Sequence, residues 1–176
     1  MKVGVLALQG DFEAHAKVLR RIGANPREVR KAEDLKGLDG LVMPGGESTT
    51  MTLAIERENL AAPLTDLVRS GIPTLGTCAG LILLARENLG LLDVTTKRNA
   101  FGRQLQSFET DLEMDGGTMK AVFIRAPWVE DVGEGVEVLA EVDGHPVAVR
   151  QDNILAVAFH PELTDDARLH EWVLRA

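Results

Sequence analysis

The sequence predicts an α/β fold with three layers, in which a mostly parallel sheet is flanked by helices and antiparallel strands lie at one side. Two observations lead to this expectation. In the first half of the chain, short apolar runs typical of buried strands alternate with segments of helical periodicity, and turns follow the runs. After Gly90, strand-like runs follow one another with turns between them, a pattern typical of antiparallel hairpins.

The elements of the first half are expected from apolar spacing and from glycine or proline at their ends. The expected strands are residues 1–8, 27–30, 38–43 and 72–76. The expected helices are residues 12–22, 48–57, 63–70 and 79–87. Ser48 or Thr49 is the expected cap of the second of these helices, because a hydroxyl there can accept a backbone hydrogen bond.

The second half is expected to be mostly strand. The strand-like runs are residues 105–114, 119–124, 136–142, 146–150 and 154–159, with turns at 115–117 and 143–145. A final amphipathic helix is expected from about residue 165. No repeat, low-complexity segment or linker interrupts the sequence, so residues 1–176 are expected to form a single domain.

Composition restricts the class of protein. The 176 residues are 45% hydrophobic and 26% charged, as in a soluble globular protein. The net charge of −8 argues against a nucleic-acid binder; five basic residues between positions 20 and 31 leave a local basic patch open, although a solvated mixed surface is the simpler interpretation. The one cysteine cannot form an internal disulfide, and the apolar runs are too short to span a bilayer. The amino terminus also lacks a signal-peptide pattern, so we expect a cytoplasmic protein.

The segment from Gly76 to Gly80 places the one cysteine, Cys78, between an expected strand and an expected helix. The pattern Gly-x-Cys-x-Gly is the thiol version of a nucleophile elbow, a strained turn that exposes the nucleophile above the sheet. The helix amino terminus favours the reactive thiolate, and the backbone N–H of Ala79 can face an oxyanion. A lone cysteine is more often buried and inert, but glycines on both sides of this junction favour catalysis.

A cysteine nucleophile needs a base, and His160 is the best placed of the four histidines, since it alone follows an apolar strand. Glu162, two residues further on, can reach back to the second ring nitrogen, fix the tautomer and stabilise the imidazolium. His-Pro-Glu alone is more often an ordinary turn. Together with the elbow it predicts a triad of Cys78, His160 and Glu162.

A second oxyanion donor is expected from the glycine-rich turn at Gly45 and Gly46, where glycine lets a peptide turn its N–H inward. The alternatives are a phosphate loop or a simple tight turn. The segment lacks the Gly-Lys-Ser/Thr ending of a nucleotide-binding loop, which argues against nucleotide binding.

Six segments carry a resemblance that runs nearly end to end: VLALQG at 5–10, PGGESTT at 44–50, GTCAGL at 76–81, RNAFGRQ at 98–104, FIRAP at 123–127 and FHPEL at 159–163. By these segments the chain resembles the class I, triad-type glutamine amidotransferases, whose fold is flavodoxin-like. Within that class it is similar to the glutaminase subunits of pyridoxal 5′-phosphate synthase. The elbow and His-Pro-Glu belong to the wider class, whereas PGGESTT, RNAFGRQ and FIRAP point to the subfamily.

The resemblance implies roles that the residues alone do not establish. It implies the Cys78–His160–Glu162 triad and a set of residues that contact L-glutamine, namely Gly46, Glu47, Ser48, Arg98, Ile124 and Arg125. A guanidinium suits the substrate carboxylate and a carboxylate suits its ammonium, but which residue contacts which end stays open. The resemblance also implies that ammonia passes to a separate synthase subunit, with no cofactor or metal in this chain.

Three other functions stay open at this point. An intracellular cysteine peptidase could use the same elbow but would not need an amino-acid clamp. A non-catalytic binding or regulatory module is a second alternative, against which an intact triad argues. The third is the glutaminase of another biosynthetic pathway.

Overall fold

The structure is a computed structural model that describes residues 1–102, 106–114 and 116–176. Four residues used in the sequence predictions lie outside the described residues: 103 and 104 at the end of RNAFGRQ, 105 at the start of a predicted strand, and turn residue 115. The described elements, in chain order, are β1 (Lys2–Leu6), α1 (Phe12–Arg21), β2 (Asn25–Val29), β3 (Gly40–Met43), α2 (Ser48–Arg57), α3 (Ala61–Arg69), β4 (Thr74–Thr77), α4 (Ala79–Leu84), β5 (Val94–Lys97), β6 (Ser107–Met114), β7 (Gly117–Ile124), β8 (Trp128–Val132), β9 (Glu137–Val142), β10 (His145–Gln151), β11 (Ile154–Val157) and α5 (Arg168–Arg175). Short 3-10 helices cover Ala32–Leu35 and Pro161–Leu163.

In the described part of the chain, seven strands form the main sheet in the order β2-β1-β3-β4-β11-β10-β9. The first five strands pair in parallel, and β10 and β9 continue the sheet in antiparallel pairing. Two further pairs, β5 with β8 and β6 with β7, form separate antiparallel sheets. The predicted mostly parallel sheet with antiparallel strands at one side is confirmed.

Helices cover both faces of the sheet. On β3, a Cβ on Gly40 would meet Val173 of α5, whereas Met43 contacts Gly80 of α4. Positions 40 and 43 are an odd number of residues apart, so their side chains point to opposite faces and the two helices lie on opposite sides. Strands β3, β4 and β11 are buried throughout their length, which explains why the sequences of β3 and β11 are continuous apolar runs.

Four details differ from the predictions. Residues 154–159 were expected in a hairpin at the side, but β11 lies inside the sheet, parallel to β4 and antiparallel to β10. The β6–β7 hairpin is separate from the main sheet. Helix α4 ends at Leu84 rather than at residue 87, because Ala85 is extended (ψ 167°). Strands β5 and β8 were not predicted, since each is short and is stabilised by a partner about 35 residues away in sequence.

Candidate active site

Cys78 occupies the strained turn that joins β4 to α4. Its backbone has φ 50° and ψ −108°, a conformation that residues with a side chain rarely adopt. Gly76 and Gly80 make the close approach possible. A Cβ at position 80 would lie 1.9 Å from the carbonyl oxygen of Met43, and one at position 76 would lie 2.6 Å from Leu84 Cδ1. The turn thus has the geometry of a nucleophile elbow, and Cys78, 7% exposed, lies at the wall of a cleft.

His160 and Glu162 lie on the turn that follows β11. The backbone N–H of His160 donates to the carbonyl of Val122 on β7 at 2.8 Å, which fixes its position. The 3-10 turn at Pro161–Leu163 brings the Glu162 carboxylate back to the ring, with Oε1 2.6 Å from Nδ1 of His160. The two residues are 4% and 7% exposed, so little water competes for this contact.

The surroundings of His160 favour its charged form. Burial disfavours the charge, but hydrogen bonds with Cys78 and Glu162, together with the charges of these groups, outweigh it and raise the pKa of His160 to about 10. Because Nδ1 shares its hydrogen with Glu162, Nε2 is the nitrogen that can exchange a proton with Cys78. The site is therefore built to hold an imidazolium between a carboxylate and the cysteine sulfur, the arrangement of an activated thiol nucleophile.

The turn after β3 runs beside the side chains of Cys78 and His160. A Cβ on Gly45 would lie 2.7 Å from Cε1 of His160 and 3.2 Å from Cβ of Cys78, so a residue with a side chain does not fit. The carbonyl of Gly45 accepts a hydrogen bond from the N–H of Asp11 at 3.2 Å. In a trans peptide the following N–H, that of Gly46, is directed the opposite way. The predicted oxyanion turn thus lies next to the predicted nucleophile and base.

Glu47 caps α2, the role that the sequence predicted for Ser48 or Thr49. Its carboxylate accepts hydrogen bonds from the N–H of Thr49 at 3.1 Å, from the N–H of Thr50 at 2.7 Å and from the hydroxyl of Thr50 at 2.7 Å. These bonds, led by the Thr50 hydroxyl, lower the pKa of Glu47 to about 2. The expected cap was wrong because a glutamate one residue earlier reaches the same amides with a charged acceptor.

A cleft of about 460 Å³ opens above Cys78. Ala79 and His160 line it. So do all six residues that the resemblance predicts to contact glutamine, namely Gly46, Glu47, Ser48, Arg98, Ile124 and Arg125. Arg98 donates from Nη1 to the hydroxyl of Thr49 at 2.8 Å. Arg125 has a positive φ of 43°, and its N–H donates to the carbonyl of Gln106 at 2.5 Å. The cleft therefore brings the guanidinium groups of Arg98 and Arg125 and the carboxylate of Glu47 close to Cys78, the predicted nucleophile.

Some lining residues were not predicted. These are Asp11, Ile82, Asn99 and Pro127, whereas Gln9 lies at the end of the first expected strand, a position expected to be near the active site or the partner surface. Gln9 accepts a hydrogen bond from the N–H of Glu47 at 2.7 Å through Oε1, and so ties the turn after β1 to the turn after β3. The same signal was available for Asp11, because it also follows β1 and the carboxyl ends of neighbouring parallel strands meet at one edge of a sheet.

The described residues include one cluster with the composition of a metal site. Asp11, His160 and Glu162 place ligand atoms within 4.8 Å of one another, and Oδ2 of Asp11 lies 3.6 Å from Nδ1 of His160. That nitrogen carries the hydrogen directed at Glu162, so it has no lone pair for a metal. The cluster instead adds a second carboxylate beside the imidazolium.

Two histidines that received no role from the sequence lie behind the site. His15 on α1 and His170 on α5 are fully buried, and their rings contact each other. No pattern in the sequence indicates this contact, because it depends on how two helices pack under the sheet and the two histidines are 155 positions apart.

Comparisons with known proteins identify the family of this chain. A sequence profile described as the SNO glutamine amidotransferase family matches residues 5–176. The chain belongs to this family. The pyridoxal 5′-phosphate synthase subunit PdxT of Mycobacteroides abscessus is 56% identical to this chain over an alignment of 180 positions. The alignment covers 96% of this chain and 93% of that protein.

Solved structures support the fold. A crystal structure of a glutamine amidotransferase has a TM-score of 0.94 and 49% sequence identity, and the match covers 98% of this chain and 97% of that one. The PurLQS structure from Thermotoga maritima shares the fold at a TM-score of 0.77 and 16% identity, covering 99% and 95% of the two chains. Across the described residues, no helix combines the length and apolar character needed to cross a bilayer.

Proposed function

We propose that this family member hydrolyses L-glutamine to L-glutamate and ammonia through a thioester on Cys78, and supplies the ammonia to the synthase subunit of pyridoxal 5′-phosphate synthase. The observation that carries the proposal is the position of Cys78 at the wall of a cleft that also presents Glu47, Arg98 and Arg125. The thiol can attack an amide carbon, and groups of both charges can bind the carboxylate and the ammonium of a free amino acid.

The acylation step follows from the charges of the site. The sulfur of Cys78 attacks the side-chain amide carbon of glutamine, and the oxyanion binds the N–H groups of Ala79 and of the Gly45–Gly46 turn. The carbon–nitrogen bond then breaks as Nε2 of His160 gives its proton to the amide nitrogen, which leaves as ammonia. Glu162 holds the ring at Nδ1 throughout, so the proton leaves from the nitrogen that faces the substrate.

The deacylation step returns the site to its starting state. Neutral His160 takes a proton from a water molecule, whose oxygen attacks the thioester carbonyl. The carbon–sulfur bond breaks, glutamate leaves and the sulfur is again paired with an imidazolium. All of these steps use side chains and backbone groups of residues 1–176 acting as one glutaminase domain, and none calls for a cofactor.

The destination of the ammonia is the part of the proposal that rests on relatives. The relative from Mycobacteroides abscessus is named as a subunit of pyridoxal 5′-phosphate synthase. The cleft holds groups suited to an amino acid, and the synthesis of the pyridine ring is therefore assigned to the synthase subunit in this proposal. We place the chain in the cytoplasm, where the synthase subunit would use its product. Co-purification with the synthase subunit separates this proposal from a glutaminase of another pathway.

The direct test compares Cys78→Ser with the unaltered protein. Serine keeps the shape of the elbow but lacks an acidic thiol, so glutamate release should fall to background while glutamine binding by calorimetry persists. Retention of normal glutaminase turnover would contradict the proposal. Cleavage of peptides instead of glutamine would support a peptidase, and failure of an electrophilic glutamine analogue to label Cys78 would support a non-catalytic binding module.

A further inference from the structure

A pair of buried histidines lies directly behind the candidate triad. His15 and His170 are both 0% exposed, and Nδ1 of His15 lies 2.8 Å from Nε2 of His170. Their helices, α1 and α5, are separated by most of the chain. Burying two imidazoles is costly unless their nitrogens are hydrogen-bonded. The hydrogen-bond partners of both rings therefore have to be identified.

The pair reaches the free oxygen of Glu162. Oε1 of Glu162 is bound to His160, whereas Oε2 is closed off from solvent and lacks a hydrogen bond of good geometry to any described residue. The nitrogen Nε2 of His15 faces that oxygen at 3.3 Å, and it also lies 3.1 Å from the hydroxyl of Thr77. His15 thus approaches the carboxylate from the side opposite to His160.

The hydrogen positions follow from these contacts. Nδ1 of His170 is buried and has no partner among the described residues. An unpaired buried lone pair costs less than an unpaired buried N–H, so His170 carries its hydrogen on Nε2 and donates to Nδ1 of His15. His15 must then carry its own hydrogen on Nε2, where it can bond to the Thr77 hydroxyl and lies beside Oε2 of Glu162. The opposite tautomers would place a lone pair of His15 beside the carboxylate.

Both rings are neutral in this arrangement. Burial, followed by the charges of His170 and His160, lowers the pKa of His15 well below its usual value. Burial and the charge of Arg21 lower the pKa of His170 to about 4. A neutral donor can orient the Glu162 carboxylate without neutralising it, and therefore leaves its full charge available to His160.

We propose that His15, itself held by His170, is a positioning residue that orients the Glu162 carboxylate toward His160 during glutamine hydrolysis. This inference rests on the glutaminase function proposed above. Neither histidine lines the cleft, so neither is expected to touch glutamine. Their effect should reach the reaction only through the rotation of the carboxylate and the orientation of the His160 ring.

The test compares His15→Leu, which removes the donor, with His15→Gln, whose amide nitrogen can occupy a position close to Nε2. The control is His145→Gln, because His145 stacks on Trp128 and takes no part in these contacts. For His15→Leu we expect kcat to fall roughly 10- to 100-fold, as when an orienting partner of a functional histidine is lost, with KM changed less than about twofold. His15→Gln should recover much of kcat, and His145→Gln should match the unaltered protein.

A pH profile distinguishes positioning from a loss of packing. The groups that face Glu162 are His160 from its own turn, His15 from α1 and Thr77 from β4, with Asp11 beyond the His160 ring. An ionised carboxylate that has lost a donor is easier to protonate, so the acid limb of kcat/KM should move to higher pH in His15→Leu and return in His15→Gln. Unchanged kcat in His15→Leu, or equal losses in both variants with an unmoved acid limb, would overturn the inference.

The unaltered protein offers a test that does not depend on the folding of variants. Nitrogen-15 shifts of the histidine rings report the tautomer, and we expect neutral rings with the hydrogen on Nε2 for both His15 and His170. A cationic His15, or one with its hydrogen on Nδ1, would overturn the inference. Failure of the proposed function would be seen separately, as an unaltered protein that releases no glutamate from glutamine.

Discussion

At the scale of single residues, the chemistry of the site depends on the charge of His160. Its pKa of about 10 is the result of two hydrogen-bonded neighbours that outweigh burial. Because this value exceeds the ordinary 6.5, the contribution of His160 to folding stability is full below pH 6.5 and is lost as the pH rises toward about 10. In the proposed mechanism, the same charge lets His160 protonate the departing ammonia at neutral pH.

Removal of the sulfur should change the titration of His160. In Cys78→Ala one of the two neighbours that raise its pKa is absent, while burial and Glu162 remain. We therefore expect the pKa of His160 to fall below about 10, measured by two-dimensional proton–nitrogen NMR of the histidine rings. His145 serves as the internal reference in the same spectra. A pKa that stays at about 10 would mean that Cys78 does not stabilise the imidazolium.

The two arginines of the cleft give a second prediction at this scale. Loss of a charge-assisted hydrogen bond to a substrate carboxylate costs roughly 1.5–3 kcal/mol, which corresponds to a rise in KM for glutamine of roughly ten- to a hundredfold. We expect this rise, with kcat changed much less, in whichever of Arg98→Ala and Arg125→Ala removes the carboxylate ligand. Arg57→Ala is the matched control, since Arg57 pairs with Glu58 outside the cleft. If KM is unchanged in both cleft variants, the clamp is absent.

At the scale of elements, the elbow exists because α4 packs directly on β3. All six residues of α4 are buried, so packing, and not exposed helix propensity, holds this short helix in place. Gly80 is the point of closest approach, facing the carbonyl of Met43. The apolar run after Cys78 predicted a helix, but its end could not be read from sequence, because Ala85 leaves the helix to begin the turn that leads to β5.

Gly80→Ala tests this packing. In an ordinary helix the change would stabilise by up to about 1 kcal/mol, but here the added methyl would lie 1.9 Å from a backbone oxygen and force α4 away from β3. We expect a loss of roughly 1–3 kcal/mol in chemical denaturation, together with a large loss of activity as Cys78 moves. Gly135→Ala is the control, because its nearest neighbour, Gln151 Nε2, would lie at an ordinary 3.6 Å. Equal stability of the two variants would show that α4 can shift freely.

At the scale of the whole molecule, the site forms where the carboxyl ends of β1, β3, β4 and β11 meet. Sequence reasoning could foresee this meeting, because each strand is a short apolar run followed by a turn with polar or glycine residues. It could not place Arg98 or Arg125 in the cleft from the residues alone, since both come from connections to the small separate sheets, and only the family resemblance pointed to them. The contact of His15 with His170 could not be predicted from the sequence for the same physical reason, because it depends on tertiary packing.

The last prediction concerns the partner. The Gly45 carbonyl is bound to the N–H of Asp11, so any rotation of the Gly45–Gly46 peptide that changes the oxyanion donors must break this bond. Free ammonia would be lost if the glutaminase ran alone, and we expect the synthase subunit to shift this peptide. Glutamate release should then rise on addition of excess synthase subunit by roughly 10²- to 10³-fold, the usual effect of one oxyanion donor. Cys78→Ala with the same synthase subunit controls for glutaminase activity carried by the partner. Equal turnover with and without the synthase subunit would mean that the oxyanion turn is already complete in the free chain and that the partner serves only to receive the ammonia.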